Sequence, residues 1–108
     1  MNDPNQVVVA LVTVPDSETG QHIAITVVEE RLAACGNTGA PVQSIYRWEE
    51  KICNEPEELL ILKTTAARLP ELTKRIQELH SYDVPEIIAL PVVGGSDDYL
   101  NWVRAETE

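Results

Sequence analysis

The sequence predicts an α+β domain of the ferredoxin-like class, in which two βαβ units joined by a hairpin place their helices on one face of an antiparallel sheet. Three observations lead there: a β-branched run near the start, two segments with helical apolar spacing, and two strand-like segments that meet at an acidic turn. The predicted order is strand, helix, strand, strand, helix, strand and an extra C-terminal helix. With 108 residues, we expect a single domain over 1–108, with a core at about 7–103 and frayed termini.

The first strand is Val7–Val14, a nearly unbroken β-branched run of the kind found in the middle of a sheet. Asp16 or Ser17 can cap the helix that follows, which we expect to run to about Ala34. Arg31 falls within the apolar arc of this helix. We therefore expect a snorkelling side chain paired with a carboxylate there, rather than an anion ligand.

A hairpin is predicted from the strand-like segment 42–48, which is followed by the turn Glu49-Glu50 and a return strand. Pro56 interrupts the return strand before the apolar run 59–62. Because proline cannot donate to a ladder, we expect the pairing to break at that point.

The second helix shows the clearest periodicity. Its apolar stripe consists of Leu69, Leu72, Ile76 and Leu79. Glu71 precedes Arg75 by four positions, the order that favours an ion pair on a helix. A fourth strand over 86–92 follows, which completes the second βαβ unit.

Gly94-Gly95 precedes the last predicted helix, which Ser96 or Asp97 can cap. A glycine pair before a helix can bind phosphate, but the carboxylates of Asp97 and Asp98 would repel it. We therefore interpret the pair as a turn.

The charge balance excludes several classes of protein. Eight Lys and Arg against 18 Asp and Glu give a net charge of −10, and the basic residues are scattered, so nucleic-acid binding is not expected. No apolar run is long enough to span a membrane. The stretch Met1–Asn5 lacks the basic and apolar regions of a secretory signal. These features predict a cytoplasmic protein.

The two cysteines, Cys35 and Cys53, lie 18 positions apart and lack the paired spacing of a zinc site. One disulfide is possible by number, but disulfides rarely persist in the cytosol. We expect two unpaired thiols, at least one of them buried, over a redox or ligand role.

Oligomerisation is expected because the predicted helices leave one sheet face uncovered. Tyr46 and Trp48 lie on one face of the segment 42–48 and are candidate interface residues.

The crossover 80–86 is the segment most typical of a functional site, although no catalytic motif is present. His80 is a candidate metal ligand, with Asp83 or Glu86 as an oxygen partner. The alternative is a helix C-cap histidine beside solvated carboxylates.

Six blocks of sequence, spread from about residue 7 to 103, together resemble the CutA family of divalent-cation tolerance proteins. They are Thr13-Val14-Pro15-Asp16, Glu30-Arg31-Leu32-Ala33-Ala34-Cys35, Ser44-Ile45-Tyr46-Arg47-Trp48-Glu49, Leu62-Lys63-Thr64-Thr65, His80-Ser81-Tyr82-Asp83-Val84-Pro85-Glu86-Ile87 and Tyr99-Leu100-Asn101-Trp102. This resemblance implies a ferredoxin-like homotrimer similar in architecture to PII signalling proteins. It also implies a link to copper tolerance and divalent-cation binding, and no catalytic activity.

The resemblance also implies copper ligands that this chain retains only in part. Where some family members carry a cysteine in the first strand, this chain has Val12, and their His-His pair is Leu79-His80 here. We therefore expect no required cofactor and only weak binding of copper or another divalent cation, at His80 helped by Glu86 or Cys35.

Three functions follow as hypotheses: a CutA-like response to metal ions, a PII-like sensor with a small molecule in clefts between subunits, and a non-catalytic trimeric scaffold. For the sensor, Lys63, Tyr82, Glu86 and Cys35 are the candidate cleft residues. Lys63 and Glu86 can meet only across a subunit boundary or around the sheet rim, where they would suit a zwitterionic or anionic molecule or form a salt bridge.

Overall fold

The computed structural model describes residues 3–108, so residues 1–2 of the expected frayed N-terminus lie outside it. The elements follow the predicted order and confirm the α+β ferredoxin-like class. They are β1 (Val7–Val14), α1 (Ser17–Glu29), β2 (Cys35–Trp48), β3 (Lys51–Thr65), α2 (Leu69–Leu79), β4 (Ile87–Pro91) and α3 (Asp97–Glu106). None of the three helices between residues 3 and 108 is long and apolar enough to cross a membrane.

The four strands form one antiparallel sheet in the order β2-β3-β1-β4, which places β1 and β3 in the centre. Side chains alternate between the faces of a strand. Ala10, Val12 and Val14 pack under α1 and α2 and are almost completely buried. Their neighbours Val9 and Leu11 point to the other side and stay partly exposed. Helices α1 and α2 therefore cover one face of the sheet. On the opposite face, the open face, α3 packs only at one end, where Val7 is buried against Val103.

Helix α1 begins as expected, because the Asp16 carboxylate accepts a hydrogen bond of 2.8 Å from the Thr19 N–H. Its end differs from the prediction: α1 stops at Glu29 instead of about Ala34. Arg31 adopts φ 61°, and the N–H groups of Arg31 and Leu32 donate to the carbonyls of Val28 and Val27, which is a Schellman motif. Arg31 lies past the helix end, not on its apolar arc. It does pair with a carboxylate, at 3.7 Å from Glu106.

The hairpin of β2 and β3 is longer than predicted, since β2 already begins at Cys35. The pairing does not break at Pro56, which lies opposite Gln43. Strand β1 pairs with β3 only as far as Glu58, so the other edge of β3 is free at Pro56 and can accommodate a residue without an N–H. The irregularity lies instead on β2, between Asn37 and Ala40.

This β-bulge decides which side chains of β2 reach the open face. Asn37 lies opposite Ile61 and Ala40 lies opposite Leu59, so β2 uses one residue more than β3 over the same length. Beyond the bulge, the even-numbered residues of β2 share the open face with the odd-numbered residues of β3. The predicted common face of Val42, Ser44, Tyr46 and Trp48 is therefore confirmed as part of the open face.

The stripe predicted for α2 is confirmed, since Leu72 and Ile76 are fully buried. The expected ion pair within α2 is wrong. Arg75 makes two hydrogen bonds of 2.9 and 3.0 Å to the carboxylate of Glu30 beyond the end of α1, and Glu71 pairs with Arg68. The Arg75–Glu30 ion pair thus links α2 to the residue that follows α1.

Helix α3 is capped by Ser96 as predicted, and the chain after it is held rather than frayed. Thr107 is 3% exposed, and its carbonyl accepts a hydrogen bond of 2.6 Å from the guanidinium of Arg68. The packed part of the chain therefore extends beyond residue 103.

The hairpin turn yields a stability prediction. Glu49 and Glu50 have φ angles of 49° and 66°, values that favour glycine or asparagine. Replacing Glu50 with Gly removes the clash of its Cβ with the backbone, so we expect the free energy of unfolding to rise by about 1 kcal/mol. Guanidinium denaturation at fixed protein concentration measures the change.

The matched control is Glu50→Ala, which removes the same charge but keeps the Cβ. We expect this variant to stay within about 0.5 kcal/mol of the parent chain. An equal gain in both variants would assign the effect to charge repulsion between the two glutamates and contradict the backbone argument.

Candidate functional site

A cavity of about 590 Å³ opens where the crossover between α2 and β4 passes the open face of the hairpin. Its walls come from the far half of the hairpin, from the end of β1 and from the crossover. The lining residues are Thr13, Ser44, Ile45, Tyr46, Trp48, Glu57, Tyr82, Asp83, Val84, Pro85 and Glu86. A volume of this size suits a small organic molecule.

His80 fixes the crossover to the sheet. It ends α2 as the C-cap residue, with its own N–H donating to the Ile76 carbonyl, and the chain then turns extended. The Tyr82 N–H donates to His80 Nδ1 at 3.1 Å, so the ring proton lies on Nε2, which donates to the Thr13 carbonyl at 2.8 Å. Both ring nitrogens of this neutral imidazole are therefore engaged.

Tyr82 extends this network to the hairpin. Its ring lies 4.6 Å from that of His80, and its hydroxyl donates to Glu57 Oε2 at 2.8 Å. Burial, together with the hydrogen bond to Glu57 and its negative charge, raises the pKa of Tyr82 above its ordinary value. The phenol therefore stays protonated and acts as a donor to a carboxylate.

The cavity has a strongly acidic lining. Glu57, Asp83 and Glu86 contribute carboxyl groups, and the lining includes no Lys, Arg or His. Three aromatic rings, those of Tyr46, Trp48 and Tyr82, line the same space. The site can therefore offer negative charge and aromatic faces to a ligand.

The candidate cleft residues fall into two groups within one chain. Tyr82 and Glu86 line the cavity, but Lys63 and Cys35 do not. Lys63 lies opposite Cys35 in the β2–β3 register and donates to the Asn37 side chain. Lys63 and Glu57 are six positions apart along β3, a distance of about 20 Å. One subunit alone does not bring Lys63 and Cys35 to Tyr82 and Glu86.

The cysteines are free, as expected, and both are partly exposed, so neither is the buried thiol that we expected. Cys53 lies opposite Tyr46 and Cys35 lies opposite Lys63, at separate ends of the long β3 strand. A disulfide within the chain is therefore excluded by distance.

The residues expected at a metal site do not fit a preformed copper centre. His80 is 8% exposed and both of its nitrogens already have partners. Across residues 3–108, no three His, Cys, Asp or Glu side chains come close enough to hold a metal ion. A copper ion at His80 would have to displace one of its two hydrogen bonds.

Sequence reasoning missed Glu57 as a cavity residue, because the break expected at Pro56 removed it from the strand pattern. With the strand continuous, Glu57 lies on the open face two residues before Leu59. A signal was nevertheless present, since Glu57 lies directly opposite Val42, on the face that also carries Tyr46 and Trp48, and a carboxylate is unusual on such a face.

Comparison with known proteins gives consistent results. Residues 8–106 match the family model described as CutA1 divalent ion tolerance protein. The "Divalent-cation tolerance protein CutA" of Thermus thermophilus is 48% identical over 99 residues, which are 92% of this chain and 96% of that protein. "Protein CutA, chloroplastic" of Arabidopsis thaliana is also 48% identical, over 93% of this chain, which spans only 55% of that relative.

Solved structures agree with these relatives. The Thermus thermophilus divalent cation tolerance protein superposes with a TM-score of 0.92 at 46% identity, covering 94% of this chain and 99% of that one. CutA from Xylella fastidiosa gives a TM-score of 0.92 at 36% identity, over 95% and 99% of the two chains. The chain belongs to the CutA1 family of divalent ion tolerance proteins.

Proposed function

We propose that this protein is a homotrimeric, non-catalytic CutA-type protein that responds to divalent cations. The observation that carries the proposal is an open apolar sheet face on a chain of this family. Tyr46, Trp48, Ile88 and Leu90 all lie on this face with 43 to 52% of their surface exposed. Burying such a face against other copies is strongly favourable.

A trimer is the assembly that the family resemblance implies. The protomer measures 43 × 25 × 22 Å, and its long axis reflects a hairpin whose far end has no partner strand beyond Glu58. This projecting end carries Tyr46 and Trp48, the proposed interface residues. A neighbouring subunit that packs there would bury the exposed rings and cover the free strand edge.

Binding of copper(II) in this proposal is weak. Val12 and Leu79 replace two of the three ligands that the resemblance suggests, and His80 already makes two hydrogen bonds. A site that must first lose a hydrogen bond, and that offers one imidazole, binds poorly beside a full set of nitrogen and sulfur ligands. We expect an affinity no tighter than micromolar.

A second candidate function is that of a PII-like sensor, and the specific observation in its favour is the cavity beside the crossover. The cavity lies at the proposed interface, because Tyr46 and Trp48 belong to both. Assembly would thus close it against a neighbouring subunit. A scaffold without a specific ligand is the outcome if neither cations nor small molecules bind.

A cytoplasmic location is part of the proposal. Its support is the presence of two free cysteines, which suit a reducing compartment. The Arabidopsis relative is named as chloroplastic and the Archaeoglobus fulgidus structure as periplasmic, so relatives are assigned to more than one compartment.

The trimer can be tested by sedimentation equilibrium at micromolar protein, where we expect a mass of three times 12.0 kDa. Trp48→Lys places a charge in the proposed interface and should release monomers. Ile25→Lys is the matched control, since Ile25 is similarly exposed (57% against 52% for Trp48) but lies on α1, away from the open face. A monomeric parent protein, or an intact Trp48→Lys trimer, would contradict the proposal.

The copper site can be tested by calorimetric titration with copper(II). We expect micromolar or weaker binding that His80→Ala abolishes, because it removes the imidazole. His22→Ala is the control, since His22 lies exposed on α1. Nanomolar affinity in the parent protein, or an unchanged titration in His80→Ala with its circular dichroism intact, would show that His80 is not a weak copper ligand.

A further inference from the structure

Glu57 is a buried carboxylate without a cationic partner among residues 3–108. It is 8% exposed, and it lines the cavity beside the crossover. The Tyr82 hydroxyl donates to its Oε2 at 2.8 Å. In the part of the chain that the structure describes, no hydrogen bond reaches Oε1, and none of the salt bridges includes Glu57.

The phenol of Tyr82 alone does not replace the hydration that the Glu57 carboxylate loses on burial. Removing an ionised group from water is unfavourable unless hydrogen bonds and opposite charge replace the lost hydration. Tyr82 satisfies Oε2, whereas Oε1 is not among the fully buried oxygens of residues 3–108 and remains open to the cavity. A cation that enters the cavity would supply the missing charge.

The remaining walls fit a cation of a particular kind. Tyr46, Trp48 and Tyr82 line the cavity, and the negative faces of aromatic rings attract cations. Asp83 and Glu86 add negative charge near the mouth, where both are exposed. The cavity includes no basic side chain that would hold an anion, and Lys63 lies too far along β3 to contribute within the chain.

The chemistry favours an organic cation over a metal ion. A divalent metal needs several ligand atoms at short distance, and residues 3–108 bring no such group of His, Cys, Asp or Glu together. A cage of aromatic rings with one buried carboxylate is instead typical of sites for ammonium and guanidinium groups. The volume of about 590 Å³ also exceeds what a single ion would need.

We propose that this cavity binds a small organic cation bearing an ammonium or guanidinium group, with Glu57 as its counter-charge and Tyr46, Trp48 and Tyr82 as its walls. This inference deepens the proposed sensor function, and it rests on that proposal, because it names the ligand class of the same cavity. It is an alternative to the zwitterionic or anionic ligand expected for a cleft that Lys63 would join across a subunit boundary.

The test uses the intact protein carrying Trp102→Phe, so that Trp48 is the tryptophan that reports on the cavity. Tetramethylammonium and methylguanidinium are titrated at constant ionic strength, with succinate as the anionic control. We expect both cations to change the Trp48 fluorescence saturably and succinate to have no effect. Calorimetry on the parent protein provides an independent measurement.

Glu57→Gln keeps the shape of the side chain and removes its charge, so we expect it to weaken the binding of both cations at least tenfold. Glu55→Gln is the matched control, because Glu55 lies on the same face of β3 two residues away but is exposed and does not line the cavity. Equal affinities in the two variants would overturn the role of Glu57.

Sedimentation and cation titration test the proposed trimer and the proposed ligand separately. If sedimentation shows a trimer and neither cation binds, the ligand proposal is wrong while the trimer stands. If the protein is monomeric, the proposed assembly fails whatever the titrations show. Saturable binding of succinate would contradict the assigned ligand class.

Discussion

Helices α1 and α2 bury one face of the sheet, whereas α3 covers the opposite face only at one end, around Val7, and most other features of the molecule depend on this asymmetry. Along β1, Val8, Ala10 and Val12 have no exposed surface, whereas the residues between them remain partly open. With 10 residues, α3 is only about 15 Å long and leaves most of that face uncovered. The apolar residues of the open face are therefore available for contacts with other chains, and the cavity lies at the end of that same face.

The His80 network shows how a polar group can serve structure where ligation was expected. Its imidazole joins the end of α2 to the carbonyl of Thr13 and positions Tyr82 over Glu57. Buried polar groups are tolerated when their hydrogen bonds are complete, as they are for this ring. Within residues 3–108, Glu57 has one oxygen bound to Tyr82 and a second oxygen that remains open to the cavity.

Much of the fold could be predicted because apolar periodicity reports burial, and α2 is the clearest case. The end of α1 could not be predicted in this way, because Arg31 adopts the left-handed conformation that usually marks a helix end with a glycine. The start of β2 was also missed, because a segment containing Gly36, Gly39 and Pro41 has low strand propensity and is held by its pairing with β3. At Gly36 an added Cβ would lie 3.1 Å from the Cβ of Ala24, so α1 can approach this strand closely.

The candidate site was predictable only in part, for a geometric reason. Tyr82 and Glu86 are close in sequence, so the crossover alone brings them to one place. Whether Lys63 joins them depends on the antiparallel register, which puts it beside Cys35 at the other end of the sheet. Predicting Glu57 as a cavity residue required knowing that β3 continues through Pro56. That continuity depends on which edge of the strand is free of a hydrogen-bonded neighbour.

Residues near both ends of the described segment 3–108 lie close together, on either side of α3. The Arg104 guanidinium on α3 donates to the Asn5 carbonyl at 2.8 Å, while Arg68 holds Thr107. Neighbouring termini allow the order of the chain to be rearranged, because a short linker can join them without crossing the sheet. The exposed turn at Glu49-Glu50 then becomes a natural place to open the chain. A circularly permuted protein that begins with β3 and ends with β2 would keep every strand pair, so the architecture depends on which strands are neighbours rather than on the order in which they are made.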